Sequence, residues 1–107
     1  MRAILDSLTI LHAELDQSFT VSALANRVHL SPSRFHSSFK KLTGFTPMGY
    51  LKNLRLHRAR EMILRSHMTA REASHAVGYG STSQFSREYK RQFGKTVREE
   101  RDMSASG

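Results

Sequence analysis

Cysteine is absent from this chain of 107 residues, and no apolar run approaches the length that a membrane-spanning helix needs. The lack of cysteine excludes disulfides, thiolate zinc sites and cysteine nucleophiles. An acidic residue as early as Asp6 interrupts the start of the chain, so no signal peptide is predicted. We therefore expect a protein without a membrane partner.

The usual signatures of catalysis are also missing. The chain has no Gly-x-Ser-x-Gly turn, and nothing in the sequence places a carboxylate behind a histidine. The six histidines show no convincing ligand spacing with a third group nearby. They are His12, His29, His36, His57, His67 and His75. We predict that the protein is not an enzyme and has no catalytic residue, no metal site and no cofactor.

Positive charge is concentrated after the first quarter of the chain. The net charge is +8. Residues 1–30 carry two basic and three acidic side chains, whereas residues 31–107 carry fifteen basic and six acidic ones. A field of this sign favours a polyanionic partner, and the phosphate backbone of nucleic acid is the commonest one.

Helical periodicity runs through almost the whole sequence, and no stretch alternates with the period of a strand. Apolar spacing predicts a first helix over about residues 2–16. Further helix starts are predicted from capping residues at Thr20, Ser31, Thr46, Thr69, Ser81 and Thr96. Residues 103–107 are predicted to be a frayed tail. The fold class is therefore predicted to be all-α.

A helix-turn-helix device occurs twice, in residues 20–46 and 69–96. In the first helix and turn, Thr20, Leu24, Ala25 and Val28 match Thr69, Ala73, Ser74 and Val77. One residue is inserted in the second turn. Beyond it Ser33, Phe35, Phe39, Lys40, Lys41, Gly44 and Thr46 match the residues fifty positions later, Ser83, Phe85, Tyr89, Lys90, Arg91, Gly94 and Thr96. Each copy predicts a short helix, a tight turn and a longer helix.

The outward faces of the two longer helices are polar and cationic. With Phe35, Phe39 and Leu42 facing inward at about 100° per residue, Ser33, Ser37 and Lys40 point away, flanked by His36 and Lys41. The outward residues of the second copy are Ser83, Arg87 and Lys90, flanked by Ser86 and Arg91, with Thr82 at the exposed start. Short polar side chains near a helix start can reach base edges in the major groove, and cations further along can reach phosphates.

Other interpretations account for less of the pattern. An ordinary solvated amphipathic face accounts for one copy as well as DNA does, but two cationic copies in matched register favour DNA. A basic helical adaptor for an acidic protein or an anionic surface accounts for the charge and not for the duplicated register. RNA is disfavoured because the aromatic side chains that would stack on single-stranded bases face inward.

Four segments carry a resemblance to a known family. Residues 24–35 read Leu-Ala-Asn-Arg-Val-His-Leu-Ser-Pro-Ser-Arg-Phe, and residues 39–47 read Phe-Lys-Lys-Leu-Thr-Gly-Phe-Thr-Pro. Residues 76–79 read Ala-Val-Gly-Tyr, and residues 83–94 read Ser-Gln-Phe-Ser-Arg-Glu-Tyr-Lys-Arg-Gln-Phe-Gly. Over about residues 4–101 the chain resembles the DNA-binding domain of the AraC/XylS family of regulators.

This resemblance implies seven helices, with two helix-turn-helix units joined by a central linking helix. The units are expected at about residues 1–46 and 67–102, with the linking helix at about 47–66, all within one domain. The resemblance also implies sequence-specific binding of double-stranded promoter DNA and control of bacterial transcription, in the cytoplasm at the nucleoid. In the family the two recognition helices enter successive segments of the major groove.

Two sets of residues are expected to contact the DNA. Matching positions of the family imply that bases are read by Ser33, His36, Ser37, Thr82, Ser83, Ser86 and Arg87. The residues expected to bind phosphates are Arg34, Lys40, Lys41, Lys90 and Arg91. Because Ser33 and Ser37 are small, the first unit is expected to position the protein more than it specifies a sequence.

Most members of the family carry a separate sensor or dimerisation domain, for which this chain has no room. The chain is then either a short member that acts alone or the C-terminal DNA-binding domain of a larger regulator. We favour the second alternative, in which the sensor or dimerisation domain is missing here, and we expect RNA polymerase as a further partner. Two residues depart from the family pattern: Val97 replaces a usual proline and Glu100 a usual aromatic residue. These departures predict a final helix that is weaker or packs differently.

Overall fold

Helices form most of the chain. The computed structural model describes the backbone of residues 1–106 and the side chains of residues 1–104. Within residues 1–106 it contains seven α-helices and no strand, which confirms the predicted all-α fold. The helices are α1 (Arg2–Ala13), α2 (Val21–Arg27), α3 (Pro32–Thr43), α4 (Pro47–Ser66), α5 (Ala70–Ala76), α6 (Thr82–Phe93) and α7 (Val97–Ser106). None of these helices is long and apolar enough to cross a membrane.

Side-chain caps determine where several helices begin. The hydroxyls of Thr20, Ser31 and Thr69 each accept a hydrogen bond from the backbone N–H three residues later, as predicted. Thr69 and Glu72 complete a capping box, in which the carboxylate accepts a hydrogen bond from the Thr69 N–H at 3.0 Å. That hydrogen bond stabilises the ionised carboxylate and lowers the pKa of Glu72.

A second complete capping box opens α7. The Thr96 hydroxyl accepts from the Glu99 N–H at 3.1 Å, and the Glu99 carboxylate accepts from the Thr96 N–H at 3.0 Å, which lowers the pKa of Glu99. At Ser81, where the spacing predicts another box, the serine accepts from the Gln84 N–H, but the Gln84 amide donates to Glu88 at 3.4 Å. The cap of α6 is therefore a simple serine cap.

The chain divides into two compact units between Leu54 and Arg55, inside helix α4. The first unit contains α1, α2, α3 and the beginning of α4, and the second contains the rest of α4 with α5, α6 and α7. Helix α4 covers the range in which a linking helix is expected, and its residues are shared between the two units.

In the first unit, α3 packs on α1 and α2. The rings of Phe35 and Phe39 on α3 are fully buried and lie 5.6 Å apart between centres. The other buried apolar residues of this unit are Ile4, Leu11, Leu15, Leu24, Ala25, Val28, Pro47 and Leu51. Burial of one face of each helix against the others stabilises the unit through the hydrophobic effect.

The second unit repeats this arrangement with α6 packed on α5 and α7. Its two rings on α6, Phe85 and Tyr89, are also fully buried and also lie 5.6 Å apart between centres. The other buried apolar residues are Leu56, Ala59, Ile63, Ala73, Val77 and Val97. The predicted inward rings of both copies are thus confirmed.

Two predictions about the first unit are wrong. Helix α1 ends at Ala13 and does not continue to residue 16. Glu14 instead accepts two hydrogen bonds of 2.8 Å from Arg27 in α2, which lower the pKa of Glu14. Leu42, predicted to face inward, is 44% exposed, because it lies in the last turn of α3 beside an open groove.

The predicted tail is wrong over its described part. Helix α7 continues through Ser106. The Ser104 hydroxyl donates to the carbonyl oxygen of Leu64 in α4 at 3.1 Å, and the Lys95 ammonium donates to the sulfur of Met103 at 3.0 Å. These tertiary contacts hold turns of α7 that residue types alone predict to fray. Gly107, the last residue of the predicted tail, lies outside the described residues.

Candidate nucleic-acid interface

Helix α3 presents a polar and cationic surface opposite its buried rings. All of the residues predicted to contact DNA from this helix are exposed: Ser33, Arg34, His36, Ser37, Lys40 and Lys41. Rotation of α3 about its axis would bury these charges and expose Phe35 and Phe39, so burial of the two rings fixes which side faces solvent.

Helix α6 presents the matching surface in the second unit. Ser83, Arg87, Lys90 and Arg91 are exposed, and Ser86 is partly buried. Thr82, predicted to lie at the exposed start of the helix, is also partly buried, and its hydroxyl lies 3.2 Å from the Ser74 hydroxyl. The predicted residues therefore form two sets, one on each helix, and Thr82 is the member that also contacts the protein interior.

The two surfaces differ in the contacts they can make. In α6 the guanidinium of Arg87 can donate two parallel hydrogen bonds, the geometry that suits guanine O6 and N7. At the matching position α3 has Ser37, which can make one hydrogen bond to any of several base edges. The last turn of each helix carries two exposed basic residues, which suit phosphate groups.

Behind α6, a buried carboxylate joins three helices of the second unit. Glu100 of α7 is 3% exposed and accepts hydrogen bonds from Nε of Arg60 in α4 at 2.8 Å and from the Tyr89 hydroxyl in α6 at 3.3 Å. The guanidinium of Arg60 also lies 4.8 Å from the centre of the Phe93 ring. Burial raises the pKa of Tyr89, and the nearby Glu100 raises it further, so the hydroxyl stays protonated as a donor.

The turn before α6 is held by both apolar and polar contacts. The ring of Tyr79 packs edge-on against Phe85, with 5.2 Å between centres, and burial raises the pKa of Tyr79 with a further contribution from Glu88. Ser74 of α5 is fully buried, and its hydroxyl donates to the carbonyl oxygen of Arg71 at 2.9 Å. These contacts position the first turn of α6.

Sequence reasoning did not select Ser74, Arg60 or Glu100 as functional residues. A signal for Ser74 was present, because the repeat matches this polar residue with Ala25. Glu100 also had a signal, since the position fifty residues earlier holds Tyr50. The pairing with Arg60 depends on tertiary packing. Among the described residues, no three histidine or acidic side chains lie close enough together to hold a metal ion.

Residues 24–103 match a protein family described as a helix-turn-helix domain. A curated relative, the HTH-type transcriptional regulator AlkR of Acinetobacter baylyi, is 31% identical over 99 residues, which make up 92% of this chain and 32% of AlkR. The chain spans about a third of the length of the curated relatives it matches.

Solved structures show the same fold. The crystal structure of a transcriptional regulator with an AraC-type DNA-binding domain, from Chromobacterium violaceum, has a TM-score of 0.87 and 27% identity, covering 97% of this chain and 93% of that one. The DNA-binding domain of AdpA, a global transcriptional factor solved in complex with a target DNA, has a TM-score of 0.92 and 23% identity, covering 97% and 94%.

Proposed function

This chain belongs to the AraC-type helix-turn-helix family, and from that premise we propose that it binds double-stranded promoter DNA sequence-specifically and regulates bacterial transcription. One observation carries the proposal. Helices α3 and α6 each expose short polar side chains ahead of two basic residues, on the side opposite two buried rings. Such a helix fits the major groove with its first turns at base edges and its last turn at the phosphates.

The proposed contacts divide the exposed residues by chemistry. Base edges are read by Ser33, His36 and Ser37 on α3 and by Thr82, Ser83, Ser86 and Arg87 on α6. Phosphates are bound by Arg34, Lys40, Lys41, Lys90 and Arg91. Phosphate contacts give affinity for any duplex, whereas base contacts give preference for one sequence.

We further propose that the chain acts as the C-terminal DNA-binding domain of a larger regulator that also contacts RNA polymerase at the bacterial nucleoid. This proposal is supported by the relatives, which are transcription regulators of about three times the matched length. No enzymatic step is part of the proposed function.

A competition titration near physiological salt tests the function. Duplexes selected from a random pool are compared with a scrambled duplex and with heparin as competitors. Sequence-specific reading predicts that the selected duplex binds about 10³-fold more tightly than the scrambled one. A double variant, Ser83→Ala with Arg87→Ala, should remove most of that preference and keep the binding that both duplexes share.

Lys90→Ala is the matched control on the same helix. Loss of a phosphate contact should weaken selected and scrambled duplexes alike and lower the salt slope of binding by about one. If the intact protein binds the selected duplex, the scrambled duplex and heparin equally at several salt concentrations, DNA reading is wrong. The basic adaptor for an acidic protein or an anionic surface then becomes the better explanation of the charge.

A further inference from the structure

A hydrogen bond inside the second unit joins the buried face of α5 to the first residue of α6. The Ser74 hydroxyl lies 2.9 Å from the carbonyl oxygen of Arg71 and 3.2 Å from the hydroxyl of Thr82. At the matching positions of the first unit stand Ala25 and Pro32, which have no hydroxyl. The first unit therefore cannot form this bond.

The partners of Ser74 determine the direction of the bond. A carbonyl oxygen can only accept, and a serine hydroxyl has one proton, which Ser74 donates to Arg71. The bond between the two hydroxyls therefore has Thr82 as its donor and Ser74 as its acceptor. The single hydroxyl proton of Thr82 points into the protein, and the outer side of the Thr82 oxygen can only accept.

We propose that Ser74 sets the base preference of Thr82 by making it an acceptor, so that the second unit prefers adenine or cytosine at the base that Thr82 faces. In the major groove adenine N6 and cytosine N4 carry amino donors, whereas guanine O6 and thymine O4 are acceptors. An oxygen that can only accept pairs with the amino bases and leaves the keto bases without a donor. The proposal rests on the function proposed above, and Ser74 is a positioning residue that acts through Thr82.

The substitution Ser74→Ala tests the proposal with little risk to the fold. Alanine occupies the matching, fully buried position of the first unit, so the smaller side chain suits this packing. Without Ser74 the Thr82 hydroxyl can turn and donate as well as accept. We expect preference for amino over keto bases at one step of the selected duplex to fall roughly threefold to tenfold, the worth of one neutral hydrogen bond. Binding of scrambled duplex should not change.

Variants of Thr82 identify the step and separate positioning from general loosening. Thr82→Val should shift preference at one base, and Thr82→Ser, which keeps the hydroxyl, should preserve it. In the Thr82→Val background, Ser74→Ala should have no further effect on base preference, because its action passes through the hydroxyl. Ala25→Ser is the control in the first unit and should leave all base preferences unchanged.

The outcomes distinguish the inference from the function on which it rests. If the selected duplex is preferred but Ser74→Ala keeps the full amino preference, or Thr82→Val shifts no base, the inference alone is wrong. A keto preference at the Thr82 step would also overturn it. If no duplex is preferred over scrambled DNA, the proposed function fails and the inference fails with it.

Discussion

The two units bury matching aromatic pairs, on α3 and on α6. The next helix along the chain, α4 or α7, contacts each pair through a different kind of side chain. In the first unit Tyr50 packs edge-on against Phe39, with 5.6 Å between ring centres, and its hydroxyl lies 2.8 Å from Nε2 of His12. The residue fifty positions later is Glu100, whose buried carboxylate accepts a hydrogen bond from Arg60. The same arrangement of helices can therefore be stabilised at this position by an aromatic ring in one unit and by an ion pair in the other.

The stability of the two units should respond differently to loss of the polar partner, which is His12 for Tyr50 and Arg60 for Glu100. His12 is exposed, so water can take its place at the Tyr50 hydroxyl. Glu100 is 3% exposed, and without Arg60 its carboxylate would remain in surroundings of low polarity with little access to water. The comparison predicts that the second unit is the more sensitive of the two.

The largest effect on stability is expected from Arg60→Met. This change keeps an apolar stem beside Phe93 and removes the cation that faces Glu100. Removing one partner of a buried ion pair costs about 3–5 kcal/mol, and because the Arg60 side chain is 41% exposed we expect a smaller loss of about 2–3 kcal/mol. Urea denaturation followed by far-ultraviolet circular dichroism measures the loss.

His12→Leu is the matched change in the first unit. It removes a hydrogen bond at an exposed site, so the expected loss of unfolding free energy is at most about 0.5 kcal/mol. If the two variants lose similar amounts of unfolding free energy, the ion pair of the second unit is no more sensitive to loss of a partner than the aromatic contact of the first.

The fold features predicted correctly are those with a local cause. Thr20, Ser31 and Thr69 cap helices because a side-chain oxygen three residues before a backbone N–H satisfies that donor whatever surrounds it. The predictions of where α1 ends and how far α7 extends are wrong, because contacts with distant parts of the chain are involved at both places. Glu14, the residue after the last one of α1, pairs with Arg27 of α2, and Ser104 of α7 donates to the carbonyl oxygen of Leu64 in α4.

In DNA binding, too, we expect the second unit to be the more sensitive to substitution. The test compares Arg87 on α6 with Ser37, which occupies the matching position on α3. Arg87→Ala removes a bidentate donor and should cost about 1–3 kcal/mol in binding of the selected duplex, relaxing preference at one base pair. Ser37→Ala removes one neutral hydrogen bond at most and should cost about 1 kcal/mol or less. Fluorescence anisotropy with duplexes varied one base pair at a time measures both.

Scrambled duplex provides the control for this pair of variants. Arg87→Ala should weaken scrambled DNA far less than the selected duplex, because base contacts are lost only where the base is correct. A parallel loss for both duplexes would assign Arg87 to phosphate binding. If Ser37→Ala weakens binding of the selected duplex more than Arg87→Ala does, the first unit contributes more to sequence preference than the second, contrary to the proposal.

Much of the candidate interface could be predicted because helical periodicity places residues on a face. The buried rings at Phe35 and Phe85 were enough to indicate which side chains of α3 and α6 point outward. The contact between Thr82 and Ser74 could not be predicted in this way, since it joins two helices across a turn. Its bond direction depends on a third atom, the Arg71 carbonyl oxygen.

The two units also differ in the turns that precede helices α3 and α6. After α2 the chain passes through His29 with φ 63°, and after α5 it passes through Gly78 with φ 90°. Side chains carry a penalty of roughly 1–2 kcal/mol in this left-handed region, and glycine carries an entropy penalty of about 0.5–1 kcal/mol in return. His29→Gly should therefore stabilise the protein by about 0.5 kcal/mol, whereas Gly78→Ala should destabilise it by about 1 kcal/mol.

The same change at a helical position shows whether the backbone is the cause. His36 is exposed like His29 but lies inside α3, where glycine is disfavoured. His36→Gly should lower the free energy of unfolding by about 0.5 kcal/mol, opposite in sign to His29→Gly. Urea midpoints of the variants, measured with an unchanged slope, give both signs. If His29→Gly also destabilises the protein, contacts of the His29 side chain contribute more stability than the strain of its backbone removes.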